Sequence, residues 1–189
     1  MKNYPIEIAG VRRILPFVDI SDELAYASFV IISDVELVSA VAASLAERIE
    51  GCEVIVTAEA KGISLAFEVS RLLGLKEFVV ARKSIKSYMH DPVSVSVKSI
   101  TTFDEQRLYL DAADIKKITG KKVCLLDDVV STGESLAALE RLVELAGGMV
   151  NARACVLAEG DAAKRDDLIY LQELPLFQKT GQEEYEVMK

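Results

Sequence analysis

Short continuous apolar runs, separated by amphipathic segments, dominate the central part of the chain. Four such runs are present, at residues 53–57, 78–81, 123–126 and 152–157. Each has the length and composition of a strand that is buried on both faces of a sheet. Apolar residues in the segments between them recur every three or four positions, as on one face of a helix. The alternation predicts an α/β fold with a central, mainly parallel sheet flanked by helices.

Three amphipathic segments are predicted to be helices. They cover approximately residues 34–49, 62–73 and 134–146. Ser33 and Glu36 form a capping box at the start of the first. Gly74 and Gly147 are well placed to end the other two, because glycine adopts the left-handed conformation that often follows a helix.

The N-terminal region predicts less regular structure. Residues 4–14 predict two short strands about Gly10, and residues 15–24 look irregular. Residues 29–32 are apolar and predict either a short strand or an apolar plug.

A cationic loop precedes a predicted hairpin in the middle of the chain. Residues 82–92 are polar and basic and end in a proline. Residues 93–97 alternate between valine and serine, as a strand with one solvated face does. Residues 107–110 could pair with them across a turn near Asp104. A cationic loop that opens a hairpin between two sheet strands is typical of an active-site flap, here residues 82–110.

The last part of the chain predicts a helix near residues 164–167, an edge strand at residues 168–171 and a polar tail, residues 177–189. We expect the tail to be frayed from Lys179 onward. A length of 189 residues with no repeat predicts a single domain, residues 1–189.

Composition narrows the functional classes. No apolar run is long enough to span a membrane and the N-terminus lacks the apolar core of a signal peptide, so cytoplasm is expected. A net charge of −8 and only 6% aromatic residues make broad nucleic-acid binding unlikely. The three cysteines, Cys52, Cys124 and Cys155, are far apart and form no CxxC pair, which favours buried reduced thiols over a disulfide or zinc site.

The stretch from residue 123 to residue 135 carries the main chemical signal. Its apolar run leads into two acids, Asp127 and Asp128, and then into Ser131-Thr132-Gly133 and a helix. Acids at the end of a parallel strand lie at the edge where α/β folds bind ligands, and backbone N–H groups at a helix N-terminus bind phosphate. The acids could instead cap the sheet or hold a metal, as in a nucleotide hydrolase. Such a hydrolase should also carry G-x-x-x-x-G-K-[ST], which is absent here. The dinucleotide-binding motif G-x-G-x-x-G is absent as well. Acceptors for a polyol beside donors for a phosphate suit a ribose 5-phosphate.

This stretch resembles the phosphoribosyl-pyrophosphate (PRPP) motif of type I phosphoribosyltransferases. The resemblance implies that Asp127 and Asp128 bind the ribose 2- and 3-hydroxyls. It also implies that a loop wraps the 5-phosphate, formed by Val130, Ser131, Thr132, Gly133, Glu134 and Ser135. Glu134 replaces the small residue often found at its position, so its side chain is expected to point to solvent, away from the phosphate.

Two further segments resemble adenine phosphoribosyltransferases. Glu59-Ala60-Lys61-Gly62 resembles their Glu-Ala-Arg-Gly turn, which binds pyrophosphate, often through a cis peptide bond that is not before proline. Lys61 replaces the arginine, which keeps the charge but loses the bidentate geometry. Arg82-Lys83-Ser84-Ile85-Lys86 resembles the Arg-Lys-x-x-Lys segment that opens the mobile loop. The resemblance implies that Arg82, Lys83 and Lys86 meet the pyrophosphate, either of their own subunit or of a neighbouring one. By themselves, both segments could be solvated turns.

The base site is implied by shorter matches. Residues 17–21 resemble the Phe-x-Asp-Ile-[Ser/Thr] segment of adenine enzymes, which implicates Phe17 and Val18 in holding the base. Residues 99–103 depart from the flap of adenine enzymes and come closer to xanthine enzymes and purine repressors. The resemblance also implicates Glu159, at the end of the last strand, in holding the base. Xanthine enzymes, however, place a base-reading lysine after this glutamate, whereas Gly160 follows Glu159 here. The missing lysine favours adenine.

The resemblance implies a type I phosphoribosyltransferase fold, with a small hood from residues 1–32 and possibly the C-terminal segment, and a flexible flap. The implied activity is transfer of the phosphoribosyl group of PRPP to adenine, giving AMP and pyrophosphate in purine salvage. Asp127, Asp128, Lys61, Arg82 and Lys86 are the implied catalytic residues. Mg²⁺ is implied as a complex with PRPP rather than in a protein cage. A homodimer is also implied.

Other functions stay open at this point. The base could be xanthine, hypoxanthine, guanine or orotate. The protein could also be a regulator that binds PRPP without chemistry, as purine-repressor domains do. Those carry an N-terminal helix-turn-helix, whereas residues 1–32 show no helical period and little positive charge.

Overall fold

Strands and helices alternate through most of the computed structural model, which describes residues 2–97, 106–181 and 184–188. The strands are β1 (Asn3–Ile8), β2 (Val11–Asp19), β3 (Leu24–Ala27), β4 (Val54–Ala58), β5 (Val79–Ala81), β6 (Val93–Val97), β7 (Gln106–Leu110), β8 (Lys122–Val130), β9 (Met149–Glu159), β10 (Ile169–Leu174), β11 (Phe177–Gly181) and β12 (Glu184–Val187). The helices are α1 (Val35–Ala46), α2 (Ile63–Leu72), α3 (Ala112–Ile118) and α4 (Glu134–Leu145), with one turn of 3-10 helix at Gly160–Lys164. None of the helices in these ranges is long and apolar enough to cross a membrane.

The central sheet has the strand order β10-β9-β8-β4-β5, and all its neighbouring strands are parallel. Successive residues of its middle strand, β8, alternate between two cores. Val123 and Leu125 pack on the α4 side, whereas Cys124 and Leu126 pack on the α1 and α2 side. Burial on both faces explains why this strand reads as a continuous apolar run. The predicted parallel α/β sheet is confirmed.

A second sheet combines the two ends of the chain. It is antiparallel, with the order β1-β2-β3-β11-β12. The expected hood therefore includes the C-terminal segment. The expectation of irregular structure at residues 15–24 was wrong for residues 15–19 and 24, which belong to β2 and β3, but is confirmed for residues 20–23. The expectation of a frayed tail from Lys179 was wrong, because β11 and β12 pair there. Phe177 is fully buried and Tyr185 is nearly so, and these two aromatic residues anchor the tail.

Arg13 connects the hood to the first helix. Its Nε and Nη2 atoms lie 2.6 and 2.8 Å from the carboxylate oxygens of Asp34. Asp34 is also the N-cap of α1, since its side chain accepts a hydrogen bond from the backbone N–H of Leu37. The predicted cap at Ser33 was therefore wrong by one residue, and Glu36 pairs with Arg13 instead of closing a capping box.

The predicted hairpin is present as the antiparallel pair β6–β7. Backbone hydrogen bonds in both directions between Arg82 and Tyr109 join it to the end of β5. The turn near Asp104 and residues 99–103, where the flap departs from adenine enzymes, lie outside the described residues. Helix α3 was not predicted. Phe29 and Ile31 are buried outside any strand, which confirms the apolar plug.

Candidate active site

The predicted site residues follow strands of the central sheet. The segments 59–62, 82–86 and 131–133 come directly after β4, β5 and β8. These strands are parallel, so the three segments lie at the same, carboxyl edge of the sheet. That edge is where α/β proteins bind ligands.

Asp127 and Asp128 lie inside β8 rather than after it, because β8 pairs with β9 as far as Val130. This corrects the prediction that the acids mark the end of the strand. Asp128 is 3% exposed, whereas Asp127 is partly exposed and faces the other way along the pleat. The backbone N–H of Asp128 donates to Oδ1 of Asp127 at 2.8 Å. The site therefore presents one accessible carboxylate and one buried carboxylate behind it.

The electrostatics of the pair favour a proton or a ligand. Burial, followed by the charge of Asp128, raises the pKa of Asp127 to about 7. Oδ2 of Asp128 is buried and accepts no hydrogen bond, although Nζ of Lys61 lies 3.0 Å away. Buried oxygens without donors are costly unless a ligand supplies them. Hydroxyl groups of a bound sugar would supply such donors.

The loop after β8 has the features of a phosphate site. Gly133 has φ +79°, a conformation that glycine adopts without strain, and it directly precedes α4. The N-cap residue of α4, Gly133, has no side chain to cap the helix. Thr132 accepts a long hydrogen bond, 3.4 Å, from the N–H of Glu134, and Ser131 and Ser135 are exposed. Free N–H groups at a helix N-terminus favour an anion. Glu134 is half-buried rather than fully exposed.

The turn after β4 brings a lysine to the acid pair. The Glu59–Ala60 peptide is cis, as the resemblance implies. A Cβ atom on Gly62 would lie 2.3 Å from Oγ1 of Thr57, so no larger residue fits there. Nζ of Lys61 lies 3.0 Å from Asp128 and 3.5 Å from the carbonyl oxygen of Phe29, which follows β3. Lys61 therefore joins the central sheet to the hood.

A second group of cations surrounds Glu59. Nη1 of Arg82 and Nζ of Lys86 lie 3.7 and 3.6 Å from its two carboxylate oxygens. The backbone N–H of Lys83 donates to the same carboxylate at 2.9 Å, whereas the Lys83 side chain is exposed. The pKa of Glu59 is lowered, first by this N–H and then by the charges of Lys86 and Arg82. Glu59 thus gathers two of the cations that are predicted to bind pyrophosphate, Arg82 and Lys86.

The residues predicted to hold the base lie in two places. Phe17 belongs to β2 of the hood and stacks on Tyr185, with ring centroids 4.2 Å apart. Its neighbour Val18 is 40% exposed. Glu159 ends β9 and is half-buried, and burial raises its pKa while the charge of Lys61 partly opposes the shift. Tyr185 was not predicted from the sequence, although an aromatic residue within a polar tail is a signal that could have identified it.

Magnesium, which the resemblance implies, fits this edge only with help from a ligand. The oxygen-rich pair Asp127 and Asp128 suits Mg²⁺, which prefers oxygen ligands. The described residues contain no group of three or more histidine, cysteine, aspartate or glutamate side chains that could hold a metal ion. The remaining ligands would have to come from the phosphates and hydroxyls of a substrate or from water.

The chain is similar in sequence to a known family of proteins. The model of the family described as "Phosphoribosyl transferase domain" matches residues 32–185. The hypoxanthine/guanine phosphoribosyltransferase of Methanocaldococcus vulcanius is 33% identical over 115 residues, 61% of this chain and 58% of the relative. The corresponding protein of Methanococcus voltae is 33% identical over 131 residues, 69% of this chain and 66% of the relative. The chain thus spans 58% of the length of the first of these relatives.

Several adenine phosphoribosyltransferases of known structure share this fold. That of Thermoanaerobacter pseudethanolicus has a TM-score of 0.65 and 21% identity, and the match covers 92% of this chain and 96% of that one. That of Saccharomyces cerevisiae, solved with adenine and an imino-altritol bisphosphate, has a TM-score of 0.64 and 18% identity, covering 90% and 94%. At these identities the likeness concerns the fold. The family match covers most of the chain, and the protein therefore belongs to the phosphoribosyl transferase domain family and has the type I fold.

Proposed function

We propose that the protein is a purine phosphoribosyltransferase. It transfers the 5-phosphoribosyl group of PRPP to a ring nitrogen of a purine and releases pyrophosphate. The observation that carries the proposal is the meeting of an acid pair, a phosphate-binding loop and a lysine at one sheet edge, with Lys61 3.0 Å from Asp128. Each of these features matches one part of PRPP.

The acid pair and the loop would hold the phosphoribosyl part. The accessible carboxylate of Asp127 accepts hydrogen bonds from ribose hydroxyls, and these donors compensate for its burial. Residues 130–135 bind the 5-phosphate through backbone N–H groups and the hydroxyls of Ser131, Thr132 and Ser135. Two anchors at the ends of the sugar fix its orientation, and orientation accounts for a large share of the rate enhancement in reactions of two substrates.

The cations would stabilise the leaving group. When the C1–O bond of PRPP breaks and the C1–N bond forms, negative charge develops on pyrophosphate. Lys61, Arg82 and Lys86 place positive charge at the edge where it leaves, which is the preorganised electrostatic stabilisation that contributes most to many enzymes. Magnesium, when bound with PRPP, supplies further positive charge to the same oxygens. The proton of the attacking nitrogen leaves the purine as the new bond forms.

For the base, we propose adenine first. The support is the absence of a lysine after Glu159, since a lysine would suit the carbonyl oxygen of an oxopurine. The half-buried carboxyl of Glu159 could accept a hydrogen bond from an exocyclic amino group when it is ionised. A second candidate is hypoxanthine or guanine, because the relatives in sequence are hypoxanthine/guanine enzymes.

A panel of bases tests the proposal. The protein is incubated with magnesium and PRPP and with adenine, hypoxanthine, guanine, xanthine or orotate, and the nucleotide and the pyrophosphate are both quantified. We expect nucleotide formation with at least one purine, fastest with adenine. Turnover with orotate alone would refute the purine assignment. Binding of PRPP without turnover of any base would instead favour the regulator, and an Asp127→Asn variant serves as the inactive control.

A further inference from the structure

Arg165 lies against the phosphate-binding loop, although it follows a different strand. It comes directly after the 3-10 turn Gly160–Lys164, beyond the end of β9. Its Nη1 atom is 2.8 Å from the position that a Cβ on Gly133 would occupy. A glycine at position 133 thus leaves room for the guanidinium and also adopts the left-handed backbone conformation of the loop without strain. Arg165 was not among the residues predicted from the sequence.

The guanidinium is held in a fixed orientation. Its Nε and Nη2 atoms each lie 2.9 Å from one oxygen of the Asp167 carboxylate, a bidentate arrangement. Asp167 also lies 3.6 Å from Nε of Arg153, which pairs with Glu140 on α4. The chain of ion pairs connects the loop after β9 with the helix that the phosphate-binding loop precedes.

One edge of the guanidinium is left available. Nη1 donates no hydrogen bond to any residue in the described ranges, although the side chain is only about one-third exposed, at 34%. A guanidinium has five N–H donors, and the pair with Asp167 uses two of them. The remaining donors on Nη1 lie beside Gly133 and can reach an anion in the loop.

The phosphate-binding loop has no cation of its own to balance the charge of a phosphate. Residues 130–135 contain no lysine or arginine, and Glu134 brings a negative charge to the first turn of α4. Three other cations at this edge pair with acids outside the loop, Arg82 and Lys86 with Glu59 and Lys61 with Asp128. A phosphate group carries close to two negative charges near neutral pH. A helix N-terminus supplies about half a positive charge, which Glu134 offsets.

We propose that Arg165 binds the 5-phosphate of the phosphoribosyl substrate through Nη1 and offsets the charge of Glu134. The inference rests on the proposed function, because it assumes that residues 130–135 hold a sugar 5-phosphate. Asp167 acts as a positioning residue that aims the guanidinium at the loop. The arrangement explains how an acidic loop residue is compatible with a phosphate site.

Binding of ribose 5-phosphate, measured by titration calorimetry, tests the inference without any need to know the base. The control for Arg165→Gln is Lys164→Gln, which removes a positive charge from the neighbouring residue. The Lys164 side chain is exposed and pairs with Asp161. A charge-assisted hydrogen bond of ordinary strength predicts a loss of roughly tenfold or more in affinity for Arg165→Gln. We expect Lys164→Gln to stay within about twofold of the wild type.

The salt dependence separates phosphate binding from a role in packing alone. Loss of a direct ionic contact makes the affinity for ribose 5-phosphate less sensitive to ionic strength, whereas a loosened loop lowers the affinity at every salt concentration. An Arg165→Gln variant with wild-type affinity, or with lower affinity and unchanged salt dependence, would overturn the inference. If the wild type binds neither ribose 5-phosphate nor PRPP, the proposed function itself fails.

Arg165→Lys provides a second measurement if the glutamine variant does not fold. Lysine keeps the charge but cannot pair with Asp167 in a bidentate manner and reach the phosphate at the same time. We expect Arg165→Lys to bind ribose 5-phosphate with an affinity between those of Lys164→Gln and Arg165→Gln. If Arg165→Gln cannot be measured, we expect Arg165→Lys to bind severalfold more weakly than the wild type. Wild-type affinity in Arg165→Lys would refute the assignment of the fixed guanidinium.

Discussion

Replacing Asp127 with asparagine should stabilise the ligand-free protein above neutral pH while it abolishes transfer. Asp127 lies beside the buried Asp128, and burial together with the neighbouring charge raises its pKa to about 7. Asparagine has nearly the same shape but carries no charge at any pH. The variant therefore removes the cost of a charge that the site holds for its ligand.

The sign follows from the two pKa values. An unfolded chain ionises Asp127 near its ordinary pKa of 3.8, whereas the folded protein retains the proton up to about pH 7. Between these values the folded state binds more protons, so Asp127 makes the stability fall as the pH rises from about 4 to about 7. A shift of roughly three units corresponds to about 4 kcal/mol at most. Asp127 is partly exposed, and hydration reduces this to about 2 kcal/mol.

Chemical denaturation of the wild type and of Asp127→Asn at pH 4.5, 6, 7 and 8 measures the difference. We expect similar stabilities at pH 4.5 and an advantage for the variant that grows to about 2 kcal/mol at pH 8. Asp161→Asn is the matched control, because Asp161 is exposed and its pKa is lowered by Lys164, so its removal should not stabilise. A variant advantage that is equal at pH 4.5 and pH 8, or a destabilised variant at pH 8, would refute the reasoning.

Three further predictions concern the turn, the hood and the assembly. Gly62→Ala should lower the free energy of unfolding by about 2 kcal/mol or more, because the new Cβ would lie 2.3 Å from Oγ1 of Thr57. Urea unfolding measures the loss, and a loss below about 0.5 kcal/mol would contradict the prediction. In the same assay, Tyr185→Phe should lower the free energy of unfolding by about 1 kcal/mol, because it removes the 2.9 Å hydrogen bond from the Tyr185 hydroxyl to Asp19. Tyr185→Ala should lower it by about 3 kcal/mol or more, because the stacked ring is also lost. Equal losses for the two variants would contradict a stabilising role of the stacking. Phe67 is 58% exposed on α2 and belongs to an apolar face that we expect a second copy of the chain to cover. Phe67→Asp should therefore convert a dimer into a monomer, as measured by light scattering. A wild-type protein that is already a monomer would refute this expectation.

Much of the fold could be predicted because its central strands are buried on both faces. The continuous apolar run at Val123 to Leu126 has no other ready explanation, and the helices beside it show their periodicity plainly. The hood was predicted less well. Its strands alternate weakly, and the pairing of β11 with β3 joins residues more than 150 positions apart, a contact that no local pattern reveals. Local signals likewise offered two adjacent residues that can cap a helix, Ser33 and Asp34, and the pairing of Asp34 with the distant Arg13 is a contact that no local pattern reveals.

The candidate site divides in the same way. Asp127, Lys61 and Arg82 could be predicted because each lies directly after or near the end of an apolar run, at the edge that parallel strands share. Arg165 could not be predicted in this way. It lies six residues beyond the end of β9 and reaches Gly133 only because the 3-10 turn bends the chain back across the sheet edge. Its role depends on geometry that the sequence does not encode locally.

Acidic neighbours pair with three cations of the site, and this determines what binding must change. Lys61 contacts Asp128, and Arg82 and Lys86 contact Glu59. Under the proposed function, an incoming pyrophosphate would exchange these ion pairs instead of adding to them, which would limit its net gain in affinity. Because Glu59 already gathers Arg82 and Lys86 at this edge, they would need only to change partner when charge develops on the leaving group. Affinity for PRPP would then come largely from the other end of the molecule, where the loop, Arg165 and the hydroxyl acceptors have unused hydrogen-bonding capacity.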